Sequence, residues 1–211
     1  MDEGLSRNPP LSPRLPSGLI LAGGRSRRMG ADKALLPYPG GDAPRSFLAQ
    51  LIHTLDSCCS EVVIVVRDQE QASRYAHAGA EIVLDTLPGG GPLVGLASGL
   101  QAISTEHALL VAVDMPFVTS QLLAFMILHY QEGIMLVPLV NGHPQVTLAI
   151  YPHSILPIIE DLIGQGRRDL RSLLEVAPVS YIDGEELRVV DPQLRSFEKV
   201  NTPEELRKLL P

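Results

Sequence analysis

The chain has 211 residues, 45% of them hydrophobic, and a formal net charge of −7. This length allows one sizeable hydrophobic core and favours a single domain over two. The acidic balance argues against a general nucleic-acid surface. No apolar run approaches the roughly 18 residues of a membrane span, so a membrane partner is not expected either.

Residues 1–17 are expected to form a disordered tail, because they carry four prolines and no continuous apolar segment. The same feature does not fit a signal peptide. Residues 18–211 would then form the folded domain. The only cysteines, Cys58 and Cys59, are adjacent and cannot hold a zinc ion by themselves. They favour a reducing, cytoplasmic location.

The first predicted element is a short buried strand, Leu19 to Ala22, which ends in the pair Gly23-Gly24. The loop that follows contains four cations, Arg25, Arg27, Arg28 and Lys33. Glycines let backbone N–H groups approach an oxygen closely, and the cations supply charge, so the loop predicts binding of an anion such as a triphosphate. Its spacing matches neither of the two common phosphate-binding glycine motifs.

Strands and helices alternate along the rest of the chain, which predicts an α/β sheet with helices on both faces. Two strands around the turn at 141–144 predict an antiparallel pair. The predicted helices cover 46–58, 69–78, 92–103, 119–130, 154–163, 168–176 and the segment from 202 onward, and the predicted strands cover 61–66, 81–84, 108–113, 134–138, 146–151, 179–182 and 197–200. The glycines before Pro92 would leave the N–H groups of the third helix available to a ligand.

Four successive apolar runs end in polar or glycine residues, namely Gly23-Gly24, Arg67, Asp85 and Asp114. Ligands of open α/β sheets bind at the carboxyl ends of the strands, so the glycine loop and the two carboxylates would face one crevice. A carboxylate at a strand end suits Mg²⁺, and Asp114 is the first candidate ligand. The alternatives are that Asp114 only caps a turn and that Asp85 only forms an Asx-turn.

Several segments resemble one family, the molybdenum cofactor guanylyltransferases, which are nucleotidyltransferases. The family signature L-A-G-G-x-S-x-R-M-G-x-D-K stands here as LAGGRSRRMGADK at 21–33. Further matches are DTLPGGGPLVG at 85–95, DMPF at 114–117 and NTPEEL at 201–206. The resemblance implies a single-domain, three-layer α/β/α fold with a mostly parallel, twisted, Rossmann-like sheet of the nucleotide-diphospho-sugar transferase type.

The resemblance also implies an activity, the transfer of GMP from Mg-GTP to the phosphate of molybdopterin cofactor with release of pyrophosphate. Mg²⁺ is the implied cofactor and GTP and molybdopterin are the implied substrates, with molybdenum cofactor insertion proteins or molybdoenzyme chaperones as further partners. The implied catalytic residues are Lys33, Arg28 and Asp114, and Asp114 is also the implied metal ligand. The implied nucleotide-binding residues are Leu21, Ala22, Gly23, Gly24, Arg25, Lys33, Asp85, Gly91 and Asp114.

Some assignments stay open at the level of sequence. Asn201 and Arg168 are candidate contacts to substrate or metal, but an asparagine before a capping threonine can be structural and a basic helix face can be solvated. The residues after Val66 lack the polar nucleotide contact that some relatives place there. A sibling enzyme that uses CTP, a sugar-nucleotide synthase and a non-catalytic GTP-binding regulator are the alternative functions.

Overall fold

The computed structural model describes residues 15–24, 31–39, 45–87 and 89–209. Within these residues, eight strands form one sheet. They are β1 (Ser17–Leu21), β2 (Glu61–Val66), β3 (Glu81–Leu84), β4 (His107–Ala112), β5 (Met135–Val140), β6 (His143–Pro144), β7 (Leu148–Pro152) and β8 (Val179–Asp183).

The sheet combines a parallel half with a mixed half. Its order is β3-β2-β1-β4-β7-β5-β6, with β8 paired to β5. Strands β3, β2, β1 and β4 are all parallel, and β8 is parallel to β5. Strand β7 runs antiparallel to both β4 and β5. The predicted antiparallel pairing is therefore confirmed, although β7 lies between β4 and β5 and the tight hairpin joins β5 to β6.

Seven α-helices are found in the described residues, and they cover both faces of the sheet. They are α1 (Phe47–Asp56), α2 (Gln69–Tyr75), α3 (Pro92–Ala102), α4 (Ser120–His129), α5 (Leu156–Gly164), α6 (Gly184–Leu187) and α7 (Pro203–Leu209). The predicted caps Ser46 and Thr119 are confirmed, because their hydroxyl oxygens accept hydrogen bonds from the N–H groups of Ala49 and Leu122. No helix of the described ranges combines the length and the apolar character needed to cross a bilayer.

Three predictions about secondary structure need correction. Ser17, assigned to the tail, is the fully buried first residue of β1. The predicted helix at 168–176 is a 3₁₀ segment, Leu170–Glu175. The predicted strand at 197–200 is absent. Phe197 ends a 3₁₀ turn, Arg195–Phe197, that the Asp191 carboxylate holds by accepting hydrogen bonds from the N–H groups of Arg195 and Ser196, and residues 198–200 have no regular secondary structure. Residues 1–14 of the predicted tail lie outside the described residues.

Two hydrophobic clusters lie on opposite faces of the sheet. One contains apolar side chains of α1 and α4, and the other contains those of α3 and α5. Alternate residues of β1 enter opposite clusters, since Leu19 belongs to the second and Ile20 to the first. This is the three-layer α/β/α arrangement expected from the alternation of strands and helices.

Helix α3 lies unusually close to the strands because it contains two glycines. A Cβ atom at Gly99 would lie 2.7 Å from Leu19 Cδ1 and 3.2 Å from Val65 Cγ2. At Gly95 it would lie 3.2 Å from Leu21 Cδ2. Glycine costs helix stability, but here it permits the approach of α3 to β1 and β2.

We predict that Gly99→Val lowers the free energy of unfolding by about 1–3 kcal/mol, because the added methyl groups overpack a filled layer. Gly164→Val is the matched control, since a Cβ atom at this last residue of α5 has no neighbour within 4 Å. The control should stay within about 0.5 kcal/mol of the wild type. Urea unfolding followed by circular dichroism measures both, and equal stability of the two variants would contradict the packing argument.

Candidate active site

A cavity of about 610 Å³ opens at the carboxyl ends of the parallel strands. Its polar lining follows the order of the strands. Asp85 comes after β3, Arg67 after β2, Gly23 and Gly24 after β1, and Asp114 two residues after β4. The start of α3 closes one wall. The remaining lining residues are Leu21, Lys33, Val65, Gly89, Gly91, Pro92, Gly95, Ala112, Val113 and Thr147.

Lys33, Asp114 and Asn201 form a cluster at one end of this cavity. Lys33 Nζ donates a hydrogen bond of 2.8 Å to Asn201 Oδ1 and lies 3.8 Å from Asp114 Oδ2. The side chains of Lys33 and Asp114 are only 13% and 24% exposed. The backbone fixes the same cluster, because the Val200 N–H donates to the Asp114 carbonyl oxygen at 2.8 Å.

The Asp114 carboxylate has the character of a ligand for a divalent cation. Its Oδ1 atom is buried and has no hydrogen-bond partner among the described residues. The alternative role as a turn cap would require a backbone N–H donor to one of the two carboxylate oxygens, and none is found in the part of the chain described. Mg²⁺ prefers one or two carboxylates together with water and phosphate oxygens, so a single oriented carboxylate fits it. No group of three His, Cys, Asp or Glu side chains in the described ranges could form a closed metal site.

Asp85 lies at the opposite end of the polar lining. Its Oδ1 atom accepts a 3.3 Å hydrogen bond from the Leu87 N–H, which is the Asx-turn contact expected as an alternative role. The residue also lines the cavity. Burial raises the pKa of its carboxyl above the ordinary value, and the Leu87 N–H lowers it by a smaller amount.

A buried hydrogen-bond network supports the floor of the cavity. Gln71, only 1% exposed, accepts from the Arg67 N–H through Oε1 and donates through Nε2 to the Ala22 carbonyl oxygen and to Tyr75 Oη. Tyr75 Oη in turn donates to Asp32 Oδ1. This network joins the ends of β1 and β2 to the segment that carries Lys33. The sequence analysis did not predict this network, because no local sequence pattern indicates that Gln71 is buried.

The start of α3 is partly occupied by the protein itself. Gly91 has a φ of 83°, and a Cβ atom there would lie 2.8 Å from the Arg168 carbonyl oxygen. That oxygen also accepts from the Leu93 N–H at 3.1 Å. The prediction that the first N–H groups of this helix are available to a ligand is therefore wrong for Leu93.

The structure brings together most of the predicted site residues. Those that line the cavity are Leu21, Gly23, Gly24, Lys33, Asp85, Gly91 and Asp114. Asn201 reaches the site through its bond to Lys33, and Ala22 lies behind it as the acceptor of Gln71. The exposed Arg168 guanidinium donates to backbone carbonyls of its own segment, so only its backbone approaches the cavity wall. Arg25 and Arg28 lie outside the described residues.

Two further side chains extend the lining and were missed by the sequence analysis. Arg67 lines the cavity beside Asp85, although the residues after Val66 were expected to offer no polar contact. Thr147 lines it beyond Asp114, and its Oγ1 atom accepts a 2.9 Å hydrogen bond from Lys199 Nζ. Arg67 was identified as the polar residue that ends β2 but not as part of the cavity, whereas the contact between Thr147 and Lys199 leaves no sequence signal.

Comparison with known proteins gives a consistent set of relatives. The model of the MobA-like NTP transferase domain matches residues 18–183. A protein of Chloroflexus aggregans named "Probable molybdenum cofactor guanylyltransferase" is 39% identical over 196 residues, which cover 90% of this chain and 91% of that protein. The "Molybdenum cofactor guanylyltransferase" of Desulfosudis oleivorans is 32% identical over 194 residues, which cover 91% and 93%.

Solved structures agree with this assignment. The crystal structure of molybdopterin-guanine dinucleotide biosynthesis protein A from Archaeoglobus fulgidus superposes with a TM-score of 0.77 at 29% identity, covering 91% of this chain and 95% of that one. The 2-C-methyl-D-erythritol 4-phosphate cytidylyltransferase of Thermus thermophilus shares the fold, with a TM-score of 0.64 at 18% identity over 90% of this chain and 95% of that one. The match over residues 18–183 and the identity with full-length relatives show that this chain belongs to the MobA-like NTP transferase family.

Proposed function

We propose that this protein transfers GMP from GTP to the terminal phosphate of molybdopterin cofactor, forming the guanine dinucleotide and releasing pyrophosphate. The observation that carries the proposal is the cavity in which Lys33 and Asp114 lie 3.8 Å apart, with Asp85 in the same lining. The names of the guanylyltransferase relatives support the choice of nucleotide and acceptor. The CTP-using and non-catalytic alternatives have no comparable support.

The arrangement of charges suggests how the substrates are oriented. The glycine pair after β1, Lys33 and Asp114 would bind the triphosphate, since backbone N–H groups, an ammonium group and a metal-binding carboxylate all suit phosphate oxygens. The base would lie toward β3, where the Asp85 carboxylate can accept from the adjacent N1–H and N2–H groups of guanine. Cytosine offers only one exocyclic amino group at the corresponding edge, so it satisfies this carboxylate less well.

The reaction needs positioning and charge neutralisation more than it needs a protein nucleophile. An oxygen of the acceptor phosphate attacks the α-phosphorus of GTP in line, and the bond from that phosphorus to the bridging oxygen of the β-phosphate breaks. The attacking phosphate is already an anion, so no general base has to remove a proton. Lys33, held by Asn201, would stabilise the negative charge that grows on the leaving pyrophosphate.

Mg²⁺ would be bound by Asp114 Oδ1, the buried oxygen that has no partner among the described residues. When bound, the ion would neutralise charge on the phosphate oxygens.

We further propose a cytoplasmic location, in keeping with the free thiols of Cys58 and Cys59, and transfer of the product to a molybdenum cofactor insertion protein or molybdoenzyme chaperone.

The direct test is pyrophosphate release with molybdopterin cofactor and either GTP or CTP. We expect release with GTP that depends on the acceptor and at least tenfold slower release with CTP. Incubation with GTP and no acceptor is the control for simple hydrolysis. Faster release with CTP would favour the sibling activity, and binding of GTP without any release would favour the regulator.

We predict that Lys33→Ala and Asp114→Asn each lower the rate of pyrophosphate release by about 10²- to 10³-fold, because each removes one preorganised charge. The matched controls are Arg188→Ala and Asp161→Asn. Arg188 is half-buried at the C-terminal end of α6 and Asp161 is exposed on α5, and neither lines the cavity. Near wild-type turnover in both site variants would rule out the assigned roles.

The substitution Asp85→Asn should change GTP binding and thermal stability in opposite directions. Because burial raises the folded-state pKa of Asp85, its ionised form disfavours the folded state at neutral pH, and this cost disappears as the pH falls through the raised pKa. The variant should therefore melt slightly higher than the wild type at pH 7.5, with the difference vanishing near pH 4.

The same variant should bind GTP about 10- to 100-fold more weakly, since it loses acceptor capacity toward two donors of the base. Thermal melts at several pH values and calorimetric titration with GTP measure the two effects. Unchanged affinity would mean that Asp85 does not contact the nucleotide, and a lower melting temperature at pH 7.5 would contradict the effect of its raised pKa.

A further inference from the structure

Arg67 is held in the cavity lining in a defined orientation. Its backbone N–H donates to Gln71 Oε1 at 2.9 Å, and its Nε donates to Asp68 Oδ2 at 2.7 Å. Asp68 is itself fixed as the N-cap of α2, where its Oδ1 atom accepts from the Gln71 N–H. The side chain is 20% exposed, and no described residue accepts a hydrogen bond from its two terminal nitrogens. The guanidinium can therefore present a paired donor face to a ligand.

Arg67 and Asp85 stand side by side at the edge of the sheet. Val66 pairs with Leu84 in the parallel register of β2 and β3, and the Asp85 N–H donates to the Val66 carbonyl oxygen at 2.7 Å. The two residues thus follow neighbouring strands, which are about 4.8 Å apart. Both line the cavity, yet no ion pair joins these two described residues, since Arg67 pairs with Asp68 instead.

The cavity is lined by a cation and an anion that do not pair with each other. Such a pair suits a neutral ligand that has hydrogen-bond donors on one edge, for the anion, and acceptors on the adjacent edge, for the cation. Guanine has this pattern. Its N1–H and N2–H donors are followed around the ring by the acceptors O6 and N7, and an arginine recognises O6 and N7 through two parallel hydrogen bonds. The distance between the donor edge and the acceptor edge of guanine is comparable to the spacing of two neighbouring strands.

We propose that Arg67 donates to O6 and N7 of the guanine base while Asp85 accepts from N1–H and N2–H, so that Arg67 is a second determinant of base specificity. This inference rests on the proposed function, and it adds a residue on β2 to the contact already assigned to Asp85. Adenine places an amino group where Arg67 requires an acceptor. Cytosine, with its single ring, lacks the O6 and N7 edge altogether.

The order of the strands favours a contact of Arg67 with the base over a contact with the triphosphate. The phosphate-binding candidates follow β1 and β4, whereas Arg67 follows β2, on the side of β1 that faces away from β4. A nucleotide laid across the sheet with its phosphates at Lys33 and Asp114 would direct its base toward β2 and β3. Arg67 and Asp85 lie at that end.

Base analogues provide the test. We would measure dissociation constants of GTP, 7-deaza-GTP, ITP and CTP for the full-length wild type, Arg67→Ala, Arg67→Gln and the control Arg188→Ala. In 7-deaza-GTP a C–H group replaces N7, and ITP lacks the N2 amino group. The wild type should bind 7-deaza-GTP about tenfold more weakly than GTP, which corresponds to one lost hydrogen bond to a charged donor.

The two Arg67 variants should bind GTP at least about tenfold more weakly and should distinguish GTP from 7-deaza-GTP by less than twofold. They should keep their discrimination against ITP, because that depends on Asp85. The ratio of two affinities in one variant is unaffected by a partial loss of folded protein, and Arg188→Ala should reproduce the wild-type ratios.

Two outcomes would overturn the inference. One is equal affinity of the wild type for GTP and 7-deaza-GTP. The other is a uniform loss of affinity for all four nucleotides in the Arg67 variants, which would place Arg67 on the phosphates or ribose. Turnover of GTP by the wild type without sensitivity to N7 would reject only the role of Arg67, whereas a preference for CTP in turnover would reject the proposed function as well.

Discussion

The parallel hydrogen bonding of β3, β2, β1 and β4 is the constraint on which the site depends. It brings the carboxyl ends of four strands to one edge and fixes their spacing, so residues that lie far apart in sequence form one ordered row. Each strand is followed by one polar group of that row, first a carboxylate, then a guanidinium, then glycine N–H groups, then a second carboxylate. The order of the strands in the sheet thereby determines the order of the charged groups along the cavity.

The close approach of α3 and the buried amide of Gln71 keep this row in place from two sides. The glycines of α3 let the helix lie directly on β1 and β2, so the strand ends cannot shift without a change in packing. Gln71 satisfies backbone groups at the ends of both strands, and a buried polar group of this kind is costly to leave without its partners. The polar site is therefore supported by an apolar layer on one face and by a hydrogen-bond network on the other.

The sequence predicted the parts of this structure that have local causes. The apolar runs, the caps and the glycine loop identified the strands, most helices and the polar residues at the strand ends, including Asp85 and Asp114. The contacts that complete the site depend on residues distant in sequence. Lys33 and Asn201 are 168 positions apart, and Gln71 is 49 positions from Ala22. No local pattern predicts such contacts.

The prediction for 197–200 failed for a related reason. Its apolar residues Phe197 and Val200 suggested a strand, but the carboxylate of Asp191 binds the N–H groups of Arg195 and Ser196 in a turn that begins just before it. Arg67 illustrates a different limit. The sequence placed it correctly at the end of β2, yet its orientation depends on Asp68 and Gln71 and was visible only in the folded chain.

The bond between the Val200 N–H and the Asp114 carbonyl oxygen has a consequence for how the protein is made. The four parallel strands, two of which precede the proposed base contacts, end by residue 112, so they can emerge from the ribosome and begin to fold while most of the remaining chain is still being synthesised. The segment that supports Asp114 and anchors the ammonium group of Lys33 is translated much later. A nascent chain could therefore acquire its affinity for a nucleotide before it acquires the capacity to break the phosphoanhydride bond.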